Sequence, residues 1–476
     1  MSKEILEELS HWKLDAKFEE MDRYFYNIRE VNEIKSGQKA FVIGRKGSGK
    51  TAISEMIYKQ VSPTVFTEKL TFKNFPFNEL YNRSNDSYTR PNQYITLWEY
   101  LIYSSICRMM VRNQAIDLEA RTALEKMFGG LEPITNLRRS ITQWTTGEMG
   151  LSLMGTGGVL KRVQTEPELS QSWIQRIDVL EDIIKEYLDD SHYYILFDEL
   201  DEDYKNIVDA GDQNNYLSLI TSIFKATQDI RSKFIGRLKI FPIIVLRDDI
   251  YNLILDPDKN KWTDFKVDLD WDEQEIKRLL AFRLSRAYDK DSVGLPFDEI
   301  WYQVFAKSWI PYSGGRKNQP VFDFITRSTQ LRPRDYIKYI QTCAEDSLRS
   351  QRIIIVPATV KYVDKAFSNY LKSELIDEIH GIIPEIQEIM SIISEIRKWN
   401  FPIDEFRDIY NQRVKNGTIK NRDVEFVLKT LFHFSVIGNS PRFGIEFFRY
   451  KSRDATFSFK ERLVVHRGLF KALQII

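Results

Sequence analysis

"FVIGRKGSGKTA", residues 41–52, runs an apolar strand into a glycine-rich turn that ends in lysine and threonine. Gly44, Gly49, Lys50 and Thr51 fill the pattern G-x-x-x-x-G-K-[ST], and a helical stretch, "AISEMIYKQV", follows. Strand, turn and helix N-terminus in that order build an anion site. Glycines let backbone N–H groups converge on a phosphate, and the helix dipole favours negative charge there. Lys50 is expected to reach the β- and γ-phosphates of ATP, and the Thr51 hydroxyl to ligate magnesium. Gly44, Lys46, Gly47, Ser48, Gly49, Lys50, Thr51 and Ala52 are the expected nucleotide contacts.

The second half of such a site is "YYILFDELDED" (193–203). A hydrophobic strand brings Asp198 to its C-terminal end, where open α/β sheets bind ligands. Asp198 is expected to hold magnesium, and Glu199 beside it to polarise an attacking water. A carboxylate in that place suits hydrolysis, and no acceptor-substrate signature accompanies it. Further strands are expected at 39–44, 63–72, 238–246 and 265–271, with helices over 92–146, 170–189 and 272–372. The glycine-rich passage "GEMGLSLMGTGGVLKRV" (147–163) lacks dinucleotide-binding spacing and reads as a hairpin or loop.

Two arginines are placed to sense a phosphate. "FPIIVLRDDI" sets Arg247 at a strand end, where phosphate sensing and an ion pair with Asp248 or Asp249 are equal readings. In "STQLRPRDYIKYI" (328–340), Pro333 suits a first helical turn and puts Arg334 at the helix start, with Arg332 as the alternate. "DPDKNKW" (256–262) offers Lys259 and Lys261 but no arginine to complete a neighbouring subunit's site, so a homo-oligomer stays open.

With "VIGRKGSGKTA" (42–52), "ILFDELDE" (195–202), "VLRDDI" (245–250) and "LRPRDYI" (331–337) in this order, the chain resembles AAA+-type P-loop ATPases. Within these it is similar to bacterial stand-alone ATPases related to origin-recognition-type initiators, over residues about 17–345. The resemblance implies an α/β fold: a P-loop NTPase parallel sheet with a helical insertion, a helical lid and a C-terminal winged helix. The boundaries expected are 1–271 for the ATPase core with its insertion at about 92–163, 272–380 for the lid, and 381–476 for the winged-helix-like domain. It implies roles for Lys50, Thr51, Asp198 and Glu199 as above, Arg247 in the first sensor position and Arg334 in the second. It also implies bacterial antiviral defence as a setting. Arginine at the first sensor position, and the long spacing from Lys50 to Asp198, depart from the usual initiator pattern.

Between 403 and 476 the chain carries 14 lysines and arginines against 8 aspartates and glutamates. Arg449, Lys451, Arg453 and Lys460 are expected on a wing that contacts the phosphates of double-stranded DNA, or else on a face used for protein contacts. Over the whole chain 68 basic and 68 acidic residues cancel, so no global field draws it to nucleic acid or membrane. Cys107 and Cys343 lie in apolar helical settings and read as core residues of a reduced, cytoplasmic protein. Five scattered histidines have no zinc spacing, and no apolar run is long enough to span a membrane.

The expectation is a magnesium-dependent ATPase working as a molecular switch, in which ATP closes the lid through Arg334 and Glu199 releases it. Two alternatives stay open: an initiator-like ATPase that remodels DNA, and a non-hydrolysing, nucleotide-dependent scaffold with a protein effector.

Overall fold

The computed structural model describes residues 2–60, 62–72, 94–128, 173–201, 213–311, 318–442 and 444–475. The glycine-rich passage 147–163 and the stretch 129–163 of the expected insertion lie outside them. The chain forms two compact units. One comprises Asn27–Arg45 and Lys50–Leu269; the other comprises Met1–Tyr26, Lys46–Gly49 and Asp270–Ile476.

The first unit is a parallel α/β layer, as the fold class expected. Its strands are β1 (Phe41–Gly44), β2 (Val65–Thr71), β3 (His192–Asp198), β4 (Lys239–Arg247) and β5 (Lys266–Leu269). They pair in the order β2-β3-β4-β1-β5, with every pair parallel. β3 is buried along nearly its whole length, which is why it reads as a continuous apolar run and not as an alternation. Pro242 is tolerated in central β4 because its donorless nitrogen lies on the β1 side before that pairing begins, Phe41 first aligning with Ile244.

Alternation along the strands sorts side chains between two faces. Tyr193, Ile195 and Phe197 join the core under the helices Ile95–Arg112 and Gln213–Phe234. Phe72, Trp98 and Phe197 form an edge-to-face cluster there, and the Trp98 indole N–H donates to Leu219 O at 3.0 Å. The helix Lys50–Tyr58 packs on the strands from the other face. Asp198 falls on this second face by parity, as does Arg247.

The second unit is mainly helical, with a core of its own. Asp272 and Glu275 close a reciprocal cap on the helix Glu273–Tyr288. A short antiparallel hairpin, β6 (Trp309–Pro311) with β7 (Asn318–Pro320), lies within the stretch expected to be helical. Pro333 takes the first turn of the helix Pro333–Arg349, and the helix Pro357–Ile379 follows. The helices Ile386–Ile396, Ile403–Lys415 and Val424–His433 come next. They accompany an antiparallel sheet of order β8-β10-β9, made of Asn400–Phe401, Arg462–Val465 and Ile437–Ser440.

Beyond residue 443 the described residues form a strand only at β10. Before it, one antiparallel backbone bridge joins Asn439 and Phe447, and side chains hold the rest: Asn439 bonds Ser458 through both ends of its amide, and Phe448 and Tyr450 pack edge-on to His466. Among the described residues, no helix is long and apolar enough to cross a membrane. Cys107 and Cys343 are both buried and free.

Candidate functional site

The turn after β1 needs its glycines for different reasons. Gly49 has φ +100° with no atom within 4 Å of where a Cβ would stand, so only backbone conformation demands glycine. Gly47 has φ +82°, and a Cβ there would lie 3.2 Å from Arg334 Cβ. Gly47 therefore also makes room for a side chain. Ser48 is buried, and its Oγ finds no hydrogen-bond partner among the described residues. A buried hydroxyl without a partner is costly, and an acceptor such as a phosphate oxygen would satisfy it.

Lys50 opens the helix Lys50–Tyr58, with its Nζ donating to Gly44 O at 2.8 Å and Arg45 O at 3.0 Å. Burial pushes its pKa below the ordinary lysine value, while Asp201 and Asp248 pull the other way. Thr51 and Ala52 follow in the same first turn, both half-buried.

Asp198 ends β3 in register with Thr71 of β2. Its Oδ1 accepts the Glu199 N–H at 2.9 Å, and its Oδ2 lies 2.8 Å from Lys69 Nζ. Glu199 stands at φ +59°, the left-handed region, which costs a non-glycine residue about 1–2 kcal/mol. Strain of this kind collects at working sites. The Thr51 hydroxyl and the Asp198 carboxylate are both hard oxygen donors. Donors of that kind suit magnesium, which keeps waters and takes its remaining ligands from phosphates. Among the described residues, no cluster of three or more histidine, cysteine or carboxylate side chains offers another metal site.

Arg247 ends β4 beside Gly44 in register. Its guanidinium bonds Asp249 through Nε at 2.9 Å and Nη2 at 2.5 Å, with Asp201 at 3.8 Å. Of the two readings left open, the ion pair with Asp249 is thus present. Lys259 donates to Ile254 O, and Lys261 pairs with Asp258.

The two arginines around Pro333 part company. Arg332 is buried with Asp335 and Glu378, its Nη1 2.9 Å from Glu378 and its Nε 3.1 Å from Asp335 Oδ2. Burial works against its charge, and those two carboxylates more than restore it. Arg334 is about a third exposed and lies 3.5 Å from Glu374, which also takes Lys46 at 3.3 Å. The Arg334 backbone N–H reaches Gly47 O at 3.4 Å. A partly exposed arginine beside the loop is less confined than the buried Arg332.

Of the four wing cations, Arg453 forms an ion pair with Asp270, and Lys451 stands over the rings of Phe448 and Tyr450. Fewer charges are left to face a phosphate backbone than the count predicts.

Sequence reading missed Lys69, Glu55 and Glu374. For Lys69 the signal was a charged residue inside the apolar alternation of β2, and for Glu55 its place one helical turn after Thr51. Glu374 carried no local signal.

A family model, the FunZ-associated C-terminal helical domain, matches residues 274–376. No curated protein matches the chain. Among solved structures it is similar to the Aeropyrum pernix ORC2 protein in ADPNP-ADP complexes, at 12% identity over 96% of this chain and 95% of that one, TM-score 0.40. It is also similar to the Aeropyrum pernix ORC1 protein in complex with DNA, at 10% identity over 97% and 96%, TM-score 0.39. A third is Cdc6p from Pyrobaculum aerophilum, at 11% identity over 98% and 96%, TM-score 0.31. These are proteins of the kind the sequence motifs resemble. At such scores they carry no functional argument, which has to come from the site's own residues.

Proposed function

We propose that this chain is an ATP-binding, magnesium-dependent ATPase of AAA+ type that works as a nucleotide-operated switch on a protein partner. The phosphate loop carries the reading. It combines two left-handed glycines, a buried lysine turned onto the loop carbonyls and a buried serine hydroxyl with no partner among the described residues. In this reading Lys50 leaves Gly44 O and Arg45 O for the phosphates, and Ser48 Oγ gains the acceptor it lacks. Thr51 and Asp198 would hold magnesium, which supplies charge neutralisation at the phosphates. Glu199 orients a water and takes its proton. Arg334 exchanges Glu374 for the γ-phosphate and adds positive charge where negative charge develops.

The switch reaches the C-terminal residues through the segment just before Arg332. Gln330 donates from its side chain to Phe434 O, His466 Nε2 bonds Thr329 O, and Arg467 bonds Ser328 Oγ and Asp364. A change at Arg334 is felt within a few residues of these bonds. The order of helices and strands from 386 to 465 supports a winged-helix reading of this part. With Arg453 and Lys451 engaged, a protein effector is favoured over DNA as its partner.

The test is phosphate release by wild type and Glu199→Gln in magnesium, with and without duplex DNA. Turnover by wild type, ATP binding without turnover by the variant, and indifference to DNA are expected. Stimulation by DNA would favour a DNA-remodelling ATPase. Binding without hydrolysis by either form would favour the scaffold, and no ATP binding would refute the reading. The antiviral setting is checked by phage challenge of cells carrying the wild-type or Lys50→Ala chain.

A further inference from the structure

Lys69 and Glu55 have no place in the expected phosphate chemistry, yet both are buried against it. β2 alternates, so Lys69 shares a face with Thr71, whose register partner is Asp198. The helix Lys50–Tyr58 lies on that face and presents Glu55 one turn after Thr51. Lys69 Nζ stands 2.8 Å from Asp198 Oδ2 and 2.8 Å from Glu55 Oε1. The three side chains are 6%, 4% and 9% exposed for Lys69, Asp198 and Glu55. The neighbouring Glu68 points to the opposite face and has its own partner in Arg108, so Lys69 is not there to neutralise it.

A lysine in such a place needs a reason. Burying an ammonium is expensive, and an apolar side chain would pack a strand more cheaply. At 2.8 Å from Asp198 Oδ2, the Lys69 ammonium already rests on the carboxylate assigned to magnesium.

We propose that Lys69, braced by Glu55, is a positioning residue that sets how tightly Asp198 takes its divalent cation. This rests on the reading of Asp198 as a magnesium residue. Lys69, Glu55 and Asp198 carry a combined formal charge of −1. Lys69→Met makes it −2, Glu55→Gln makes it 0, and the double variant restores −1. A dication approaching Asp198 responds to that sum, because the charges are only a few ångströms apart and screened from water.

The experiment titrates magnesium chloride into the full chain with a fluorescent ATP analogue and reads the magnesium concentration at half-maximal binding. Lys69→Met is expected to lower that midpoint and Glu55→Gln to raise it, each on the order of tenfold. The double variant should return near wild type. A purely structural pair would lower stability in both single variants without moving the midpoint in opposite directions. If Lys69→Met does not fold, Glu55→Gln and the double variant decide. Magnesium-dependent binding by wild type, with midpoints unmoved or moved the same way, overturns this inference alone. Wild type that binds no nucleotide at any magnesium concentration overturns the ATP reading as well.

Discussion

Replacing Arg332 and Arg334 one at a time separates two residues that look alike in sequence. Arg332→Met removes a guanidinium that is 3% exposed and strands two carboxylates, Asp335 at 0% and Glu378 at 7%. Breaking a buried ion pair from one side costs about 3–5 kcal/mol. For a unit of this size each kcal/mol moves the melting temperature by about 2–4 °C, so a drop of roughly 10 °C is expected. Arg334→Ala loses a 3.5 Å pair with Glu374 in which both side chains keep water, worth about 1 kcal/mol or less. Its melting temperature should fall by no more than about 4 °C. Function should divide the other way, with Arg334→Ala binding ATP yet losing most of its turnover. The assays are thermal melts by circular dichroism, hydrogen exchange over Pro333–Arg349, and phosphate release. If Arg332→Met melts like wild type, or Arg334→Ala hydrolyses ATP at the wild-type rate, the division of labour drawn here is wrong.

Three more outcomes are expected. Burial, with Lys451 nearby, holds the His466 pKa down to about 3 against an ordinary 6.5. The unfolded chain therefore takes up a proton below pH 6.5 that the folded chain refuses. This contribution is complete above pH 6.5 and lost as pH falls, by about 2 kcal/mol at pH 5, and denaturation of His466→Gln should show a flatter pH profile. Gly49→Ala should weaken ATP-analogue binding through backbone strain of about 1–2 kcal/mol, and Gly47→Ala should be worse because Arg334 Cβ crowds the new methyl at 3.2 Å. Burial pushes the Cys107 thiol up to about 12 and Cys343 well above its usual value, so a thiol reagent should label neither until denaturant is added.

Much of the fold was legible because its signals are local. Each of the five strands was expected within a few residues of its place, from β-branched and aromatic runs bounded by turns. Pro333 announced the helix that it starts. The differences have local causes as well. The strand expected to run through Trp271 stops at Leu269, and the Trp271 indole instead donates to Ser48 O at 2.8 Å. The expected wing around Arg449–Lys460 keeps a single backbone bridge, Asn439 with Phe447, and side chains of Asn439, Phe448 and Tyr450 make its other contacts.

The sequence by itself determined the glycine turn after β1, the strand that carries Asp198, the places of the other strands and the arginines worth attention. All of these depend on residue types at short spacing, where the chain geometry leaves few alternatives. Only the tertiary structure decided that Arg332 is buried between carboxylates while Arg334 stays reachable beside Gly47. It alone brought Lys69 and Glu55 to Asp198, and Glu374 to Arg334. Whether a charge is spent on a partner depends on burial and on distances between residues far apart in the chain. Neither is a property of any short stretch of sequence.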